Sequence, residues 1–334
     1  MARTTVVYLG GFGRSGSTLI ERTLGAAPGW TNVGELVDLA RSVAPADELC
    51  GCGTPFSACP LWSEVGARAF GGWDPGVLSR LTALHRAAAR QRHLPGLLAR
   101  SGASTGTSTG GSTGNSTALG ELRAAYTRIY RAVAEVTGCA VVVDASKGPA
   151  LGQALAGAPE LDVRVLNVVR DPRAVAWSWV RRTERPHSRD GEAMWRIPVH
   201  RAAVQWTALQ LEMEAVARCG GAPFARLRYE DFVADPVGSL VAATAALGLP
   251  LAPADLTQVA AGRATLDASH GLSGNPSRFR SGTLAVRADD QWRTAMPQAH
   301  RTVVTALTLP LLGAYGYPTG VRPAPVRPET RSTP

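Results

Sequence analysis

The stretch Thr4-Thr5-Val6-Val7-Tyr8-Leu9-Gly10-Gly11-Phe12-Gly13-Arg14-Ser15-Gly16-Ser17-Thr18-Leu19-Ile20 decides the fold. Its first seven residues are rich in β-branched side chains and bounded by glycines, which predicts a short buried strand. From Gly16 the spacing changes. Leu19, Ile20, Thr23 and Leu24 recur at helical intervals, Ser17 or Thr18 can cap the start, and Ala26-Ala27-Pro28-Gly29 ends the run. Between strand and helix, residues 11–18 fit the pattern G-x-x-x-x-G-x-[ST]. Glycines let a loop turn its N–H groups inward around an anion, and the helix that follows directs its positive end at the same point. The strand–loop–helix context that gives such a pattern meaning is present. The loop is expected to hold the phosphate end of a nucleotide.

One departure narrows the ligand. The position of the lysine in ATP- and GTP-binding loops of this pattern is Ser17. That lysine reaches the β- and γ-phosphates of a triphosphate. Arg14 offers a planar, permanently charged fork instead. A nucleotide with a shorter anionic chain is expected.

Outward from this unit, strand and helix patterns alternate. Residues 140–143 read as a buried strand ending at Asp144, residues 163–169 as another and residues 225–228 as a fourth. Helical patterns cover 76–99, 119–136, 172–183, 199–218 and 236–247, with a last helix inside 286–309 that has Pro297 near its start or at a kink. The alternation predicts an α/β fold, three layers of P-loop type with a central parallel sheet flanked by helices. Residues 45–62 and 262–283 read as irregular. Residues 101–117 are almost pure Ser, Thr and Gly, which cannot bury enough apolar surface to offset ordering entropy. They read as a flexible insertion in a single domain over residues 1–317, followed by a disordered Pro- and Arg-rich tail over 318–334.

Composition limits the partners. Of 334 residues, 45% are hydrophobic, enough for a sizeable core. No run approaches the ~18 apolar residues of a membrane span. The apolar N-terminal run is short and stops at glycines, unlike a secretory signal, so a cytoplasmic protein is expected. The net charge of +9 fits an anionic ligand and fits compositional drift towards Arg equally well. The basic residues are scattered without interleaved aromatics, which argues against a nucleic-acid partner. Five cysteines, an odd number, argue against a disulfide framework in such a compartment. Cys50, Cys52 and Cys59 lie together. Structural zinc takes four ligands, in pairs commonly two to four residues apart, so this cluster is one short and unusually spaced. It reads as reduced, packed thiols, and no metal is expected.

Gly13-Arg14-Ser15-Gly16-Ser17-Thr18 resembles the first loop of the sulfotransferase family that uses 3′-phosphoadenosine 5′-phosphosulfate (PAPS). The resemblance implies that Arg14, the backbone of residues 15–18 and the hydroxyls of Ser17 and Thr18 hold the 5′-phosphosulfate. Val168-Val169-Arg170-Asp171-Pro172-Arg173, with Ser178 eight residues after Arg170, is similar to the family's second element. There an Arg and a Ser grip the 3′-phosphate, a role this implies for Arg170 and Ser178. Arg228-Tyr229-Glu230-Asp231-Phe232, with Asp235-Pro236 and Leu247-Gly248-Leu249, looks like a third, placing Tyr229 near the adenine. His270 followed by Gly274-Asn275-Pro276-Ser277-Arg278-Phe279 resembles the late loop that closes over the 3′-phosphate side, with Arg278 as its cation. The resemblance spans residues 5–300 without the insertion.

Transfer of a sulfuryl group to a hydroxyl needs a base and cations for the developing charge. Glu35, in Val33-Gly34-Glu35-Leu36, stands where related enzymes carry a Gly-Glu that supplies the base. Others use a histidine, which leaves His187, His200, His270 and His300 open. Lys147 is the single lysine in the chain and sits just past a strand end, where α/β sites gather. Val143-Asp144-Ala145-Ser146-Lys147 is similar to a family segment, and Lys147 is expected to stabilise the transferring group, oriented by Asp144 or Ser146. The expected activity is sulfuryl transfer from PAPS to a hydroxyl of a small molecule, glycan or lipid. Two other readings are a P-loop small-molecule kinase, because residues 141–144 also look like a magnesium-binding strand end, and a non-catalytic module that binds nucleotide or polyanion.

Overall fold

A parallel sheet covered by helices on both faces needs near-continuous apolar strands, and Val6-Val7-Tyr8-Leu9 and Val141-Val142-Val143 supply them. The computed structural model of the protein describes residues 3–102, 113–182, 184 and 194–320. In it, β1 (Thr4–Gly10), β2 (Trp30–Gly34), β3 (Val141–Lys147), β4 (Leu161–Val169) and β5 (Phe224–Arg228) form a five-stranded sheet in the order β2-β3-β1-β4-β5, with every neighbouring pair parallel.

Side chains alternate across this sheet, as the two-residue period of a strand requires. Val6 and Tyr8 enter one core with α2 (Pro60–Phe70), α3 (Pro75–Ala88), α4 (Leu94–Gly102), α5 (Thr113–Thr137) and α6 (Pro149–Ala156). Val7 and Leu9 enter the other, with Ile20 and Leu24 of α1 (Ser17–Gly25). The fold is the expected α/β architecture, a central parallel sheet between helical layers. The chain continues through α7 (Pro172–Val180), α8 (Val199–Cys219), α9 (Tyr229–Ala234) and α10 (Pro236–Ala246) to α11 (Trp292–Ala295) and α12 (Gln298–Ala314). Pro297 is the residue before α12, where its missing N–H costs nothing.

Several elements go beyond the sequence expectations, among them the helices Pro60–Phe70 and Pro149–Ala156 and the strands that follow. Trp30-Thr31-Asn32-Val33-Gly34 carries no strand signature, yet forms the edge strand β2. Residues 262–283, read as irregular, contribute β7 (Arg263–Leu266) and the start of β8 (Gly282–Ala285) to an antiparallel sheet with β6 (Val259–Ala260). In the Ser/Thr/Gly-rich stretch, α4 ends at Gly102 and α5 begins at Thr113. Residues 103–112 of that stretch, residues 321–334 of the tail, and His187 lie outside the described residues. No helix among the described residues is long and apolar enough to cross a membrane.

The strand order has a consequence for chemistry. Along the C-terminal edge of the sheet, the residues that follow β2, β3, β1, β4 and β5 are Glu35, the end of β3 at Lys147, the loop with Arg14, then Arg170 and Tyr229. Residues scattered over two thirds of the chain thus become neighbours at the strand ends, where α/β folds place their ligands.

Candidate active site

The loop after β1 is shaped by close approaches. A Cβ on Gly11 (φ 131°) would lie 2.3 Å from the Val168 carbonyl oxygen, and one on Gly16 (φ 89°) would lie 2.3 Å from the Tyr229 ring. Only glycine fits at either position. Arg14 also has a positive φ of 72°, a conformation costing an L-residue roughly 1–2 kcal/mol. Its guanidinium lies over the Trp179 ring, 5.1 Å from the centroid, and Trp179 Nε1 donates to the Gly13 carbonyl at 3.2 Å. Nε and Nη2 of Arg14 and Oγ of Ser15 are buried with no hydrogen-bond partner among the described residues. Burial lowers the Arg14 pKa from its ordinary value, and the Glu35 charge opposes that shift. The N-terminus of α1 has no side-chain cap and no acidic residue in its first turn.

Arg170 leaves the end of β4 and is buried. Its Nη1 donates to the Arg14 carbonyl at 3.1 Å, and its guanidinium lies 4.9 Å from the Tyr229 ring centroid. Gly13, Arg14, Gly16, Ser17, Thr18, Arg170, Ser178 and Tyr229 line one cleft of about 970 Å³, together with Glu35 and Lys147. Ser15 is buried behind them. Arg278 is the residue the structure does not bring to that wall. Its guanidinium donates to the carbonyls of Gly274 and Leu49, 3.3 Å away in each case. Arg280 and Arg287, which sequence reasoning passed over, line the cleft instead. So does Trp179, whose signal was visible only as an aromatic one residue after Ser178.

On the β2 side of the cleft, Lys147 Nζ forms an ion pair with Glu35 Oε1 and donates to the Ala145 carbonyl at 3.2 Å. Lys147 has a φ of 67°. Asp144 and Ser146 do not orient it by hydrogen bonds. Asp144 is fully buried, accepts from the Ser146 N–H at 2.7 Å and from the hydroxyls of Ser146 and Tyr130, and is pushed up to about 6 by burial. Ser146 Oγ in turn accepts from the Val37 N–H at 2.9 Å. These two residues fix the backbone that follows β2. Asp144, enclosed in this way, offers no face to a magnesium–nucleotide complex. No histidine lines the cleft among the described residues. His200 lies on α8 and His300 on α12.

A carboxyl the sequence did not single out adjoins the pair. Glu21, on the inner face of α1, is buried, and burial pushes its pKa up to about 8 against the opposing Lys147 charge. Its Oε1 accepts from Asn32 Nδ2 at 3.4 Å. An acidic residue between Ile20 and Leu24 on the apolar face of the helix was the available signal.

The expectation that no metal binds is corrected by the late loop. His270 joins Cys50, Cys52 and Cys59, and the four ligand atoms lie within 4.8 Å of one another. His270 is 211 residues from Cys59 in sequence, so local spacing could not complete the set. The cluster is not merely packed thiols: it is a potential metal-ligating set. Within it, the hydrogen bond with Cys50 and then that with His270 draw Cys59 well below the ordinary thiol range.

No family model matches the chain, and no curated protein matches it. Solved structures do. The chain is similar to the sulfotransferase domain of a Synechococcus olefin synthase, at 16% identity over 95% of this chain and 96% of that one, with a TM-score of 0.48. A sulfotransferase domain from the curacin biosynthetic pathway gives 14% identity over 95% and 99%, with a TM-score of 0.48. A Mycobacterium tuberculosis sulfotransferase gives 16% over 77% and 71%, with a TM-score of 0.38.

Proposed function

We propose that the protein transfers the sulfuryl group of PAPS to an acceptor hydroxyl. The observation that carries this reading is the pairing of two arginines at one cleft. Arg14 comes from the loop after β1 and Arg170 from the end of β4, and Arg170 bonds directly to the Arg14 carbonyl. A ligand with anionic groups at both its 5′ and 3′ positions matches two such cations, with Tyr229, packed against Arg170 and Gly16, as an aromatic surface beside them. The lack of a lysine at Ser17 disfavours a triphosphate.

Shared position on the cleft wall supports these roles, and the motif resemblance assigns the two ends of the donor. Arg14, the N–H groups of residues 15–18 and the hydroxyls of Ser17 and Thr18 hold the phosphosulfate. Arg170 and Ser178 hold the 3′-phosphate, and Arg280 or Arg287, in place of Arg278, closes that side. Glu35 takes the proton of the acceptor hydroxyl as its oxygen attacks sulfur. Adenosine 3′,5′-bisphosphate leaves with the electrons of the broken S–O bond, and Lys147 balances charge on the group in transit. The Glu35–Lys147 ion pair holds the two side chains in register before the donor arrives. The donor's negative charge draws Lys147 towards it and leaves Glu35 to accept the proton.

The acceptor side takes its character from Trp195, which is 85% exposed, and from Val37 and Ile197, all on the cleft wall. An acceptor with an apolar body and a hydroxyl, within the small-molecule, glycan or lipid classes, fits such a wall. The test is incubation with labelled PAPS and a panel of hydroxylated acceptors. Label transfer that depends on Glu35 supports the reading. Magnesium-dependent transfer from ATP, with none from PAPS, refutes it.

A further inference from the structure

We infer that Cys50, Cys52, Cys59 and His270 bind one zinc ion in a closed structural site, and that this zinc fastens the late loop beside Glu35. The metal part of this inference stands apart from the sulfotransferase reading. Zinc–sulfur bonds of about 2.3 Å at tetrahedral angles set sulfur–sulfur edges of roughly 3.8 Å and sulfur–nitrogen edges slightly shorter. Cys59 Sγ lies 3.6 Å from Cys50 Sγ and 3.8 Å from Cys52 Sγ, and His270 Nδ1 lies 3.2 Å from Cys59 Sγ and 3.8 Å from Cys50 Sγ. Four of the six edges thus stand near the spacings of a coordination tetrahedron, and the other two lie within 4.8 Å. A disulfide would need two sulfurs at about 2.05 Å. Three thiolates and an imidazole are a soft, nitrogen-containing set that suits zinc, and four protein ligands leave no open position for catalysis.

The surrounding backbone is built to keep the set together. Cys50 and Cys52 lie in one tight turn closed by Gly53 N–H to the Cys50 carbonyl at 2.8 Å. Gly51 packs so closely on the late loop that a Cβ there would lie 2.5 Å from the Ser269 carbonyl oxygen, and its N–H donates to the Gly271 carbonyl at 3.1 Å. Trp62 Nε1 donates to the His270 carbonyl at 2.9 Å. Cys50 and Cys59 are buried, and Cys52 and His270 are half-buried. A site of this kind excludes solvent from its metal without needing a large core around it.

What the ion would hold is specific. Two residues after His270, Leu272 adds to the edge of the main sheet. Its N–H donates to the Val33 carbonyl at 2.9 Å, and its carbonyl accepts from the Glu35 N–H at 2.8 Å. Gly274 then passes Glu35 so closely that a Cβ would lie 2.8 Å from Oε1. The chain from ligand to cleft wall is five residues long, from His270 to Gly274. The metal therefore fixes the register of the segment that seats Glu35.

The test uses the full chain, purified under reducing conditions without added metal. Elemental mass spectrometry should find one zinc per chain, released when thiols are modified. Cobalt(II) in its place should give the intense visible bands of a tetrahedral site and thiolate charge transfer in the near ultraviolet. Cys59→Ser and His270→Ala should lose the metal, and Cys219→Ser, at an exposed cysteine far from the cluster, should keep it. Because a ligand variant can fail to fold, a chelator applied to the wild-type chain provides the second readout. Hydrogen exchange of the Leu272 and Glu35 amides should accelerate, and that of β1 and β4 should not. A chain that takes up no zinc on titration, that forms a Cys50–Cys59 disulfide instead, or that keeps its zinc in the Cys50→Ser, Cys59→Ser double variant overturns the site. Unchanged exchange at Leu272 and Glu35 after zinc removal overturns its fastening role.

Discussion

Replacing Arg14 with glycine should move stability and affinity in unequal measure, and the imbalance can be worked from the structure. In the folded chain Arg14 has a positive φ of 72°. Glycine relieves this by roughly 1–2 kcal/mol, and loses roughly 0.5–1 kcal/mol through the freedom it gains in the unfolded chain. The guanidinium over Trp179, 5.1 Å from the ring centroid, contributes about 0.5–2 kcal/mol that the variant forfeits. Two of its donor atoms are buried with no partner among the described residues, so their removal breaks no hydrogen bond and ends a desolvation cost. These contributions nearly cancel, and the variant should unfold in urea within about 1 kcal/mol of wild type. Binding has no such compensation. Charge-assisted hydrogen bonds to a phosphate contribute about 1.5–3 kcal/mol, so affinity for adenosine 3′,5′-bisphosphate should fall about 10- to 100-fold. Calorimetric titration and urea denaturation on the same preparations give both numbers. A variant that loses several kcal/mol of stability, or binds as tightly as wild type, would refute the view of Arg14 as a cation held for a ligand.

Three further outcomes follow from the same geometry. Arg170→Ala should weaken binding of adenosine 3′,5′-bisphosphate about tenfold or more but leave adenosine 5′-phosphate nearly unaffected, because the missing cation faces the 3′ end; equal loss for both ligands in a calorimetric series would reverse that assignment. Glu35→Gln should lower turnover of PAPS about 100-fold or more with donor affinity within about threefold of wild type, and a steady-state assay showing normal kcat would remove Glu35 from proton transfer. Glu21 gives a pH signature. Its pKa is raised from 4.5 to about 8 in the folded chain, so the folded state holds a proton that the unfolded state releases. The stability this contributes is full below pH ~4.5 and is lost as pH rises towards 8, by a few kcal/mol at order of magnitude. Urea midpoints measured across that window should fall with pH in wild type and less steeply in Glu21→Gln, where the raised Asp144 carboxyl still contributes; a parallel slope in both would show that Glu21 ionises normally.

The parts of this protein that could be read from sequence are those whose physics is local. The loop after β1 announces itself because glycine is needed at Gly11 and Gly16 for reasons of backbone sterics, and such requirements leave a mark in the chain. The buried strands β1 and β3 do the same through their valines. By contrast, β2 is an edge strand of five residues whose pairing comes from β3 and Leu272, and its sequence shows no period. The cleft residues follow the same division. Lys147 stood out as the single lysine, but its ion pair with Glu35 depends on β2 lying beside β3. Arg278 looked like the late loop's cation by position, yet the turn over Pro276–Phe279 directs it to the Gly274 and Leu49 carbonyls and leaves Arg280 and Arg287 on the cleft wall. A side chain's direction in an irregular loop is set by tertiary contacts that no spacing encodes. The metal-ligating cluster is the clearest case. Its fourth member, His270, comes from the far end of the chain, so a local count of ligands stopped one short.

The most direct test of the account is calorimetric titration of the wild-type chain with adenosine 3′,5′-bisphosphate, with ATP and magnesium as the comparison. The account predicts one saturable site per chain for the bisphosphate, displaced by PAPS, with ATP and magnesium binding at least tenfold more weakly. No heat of binding with the bisphosphate, or tighter binding of ATP with magnesium, would contradict it.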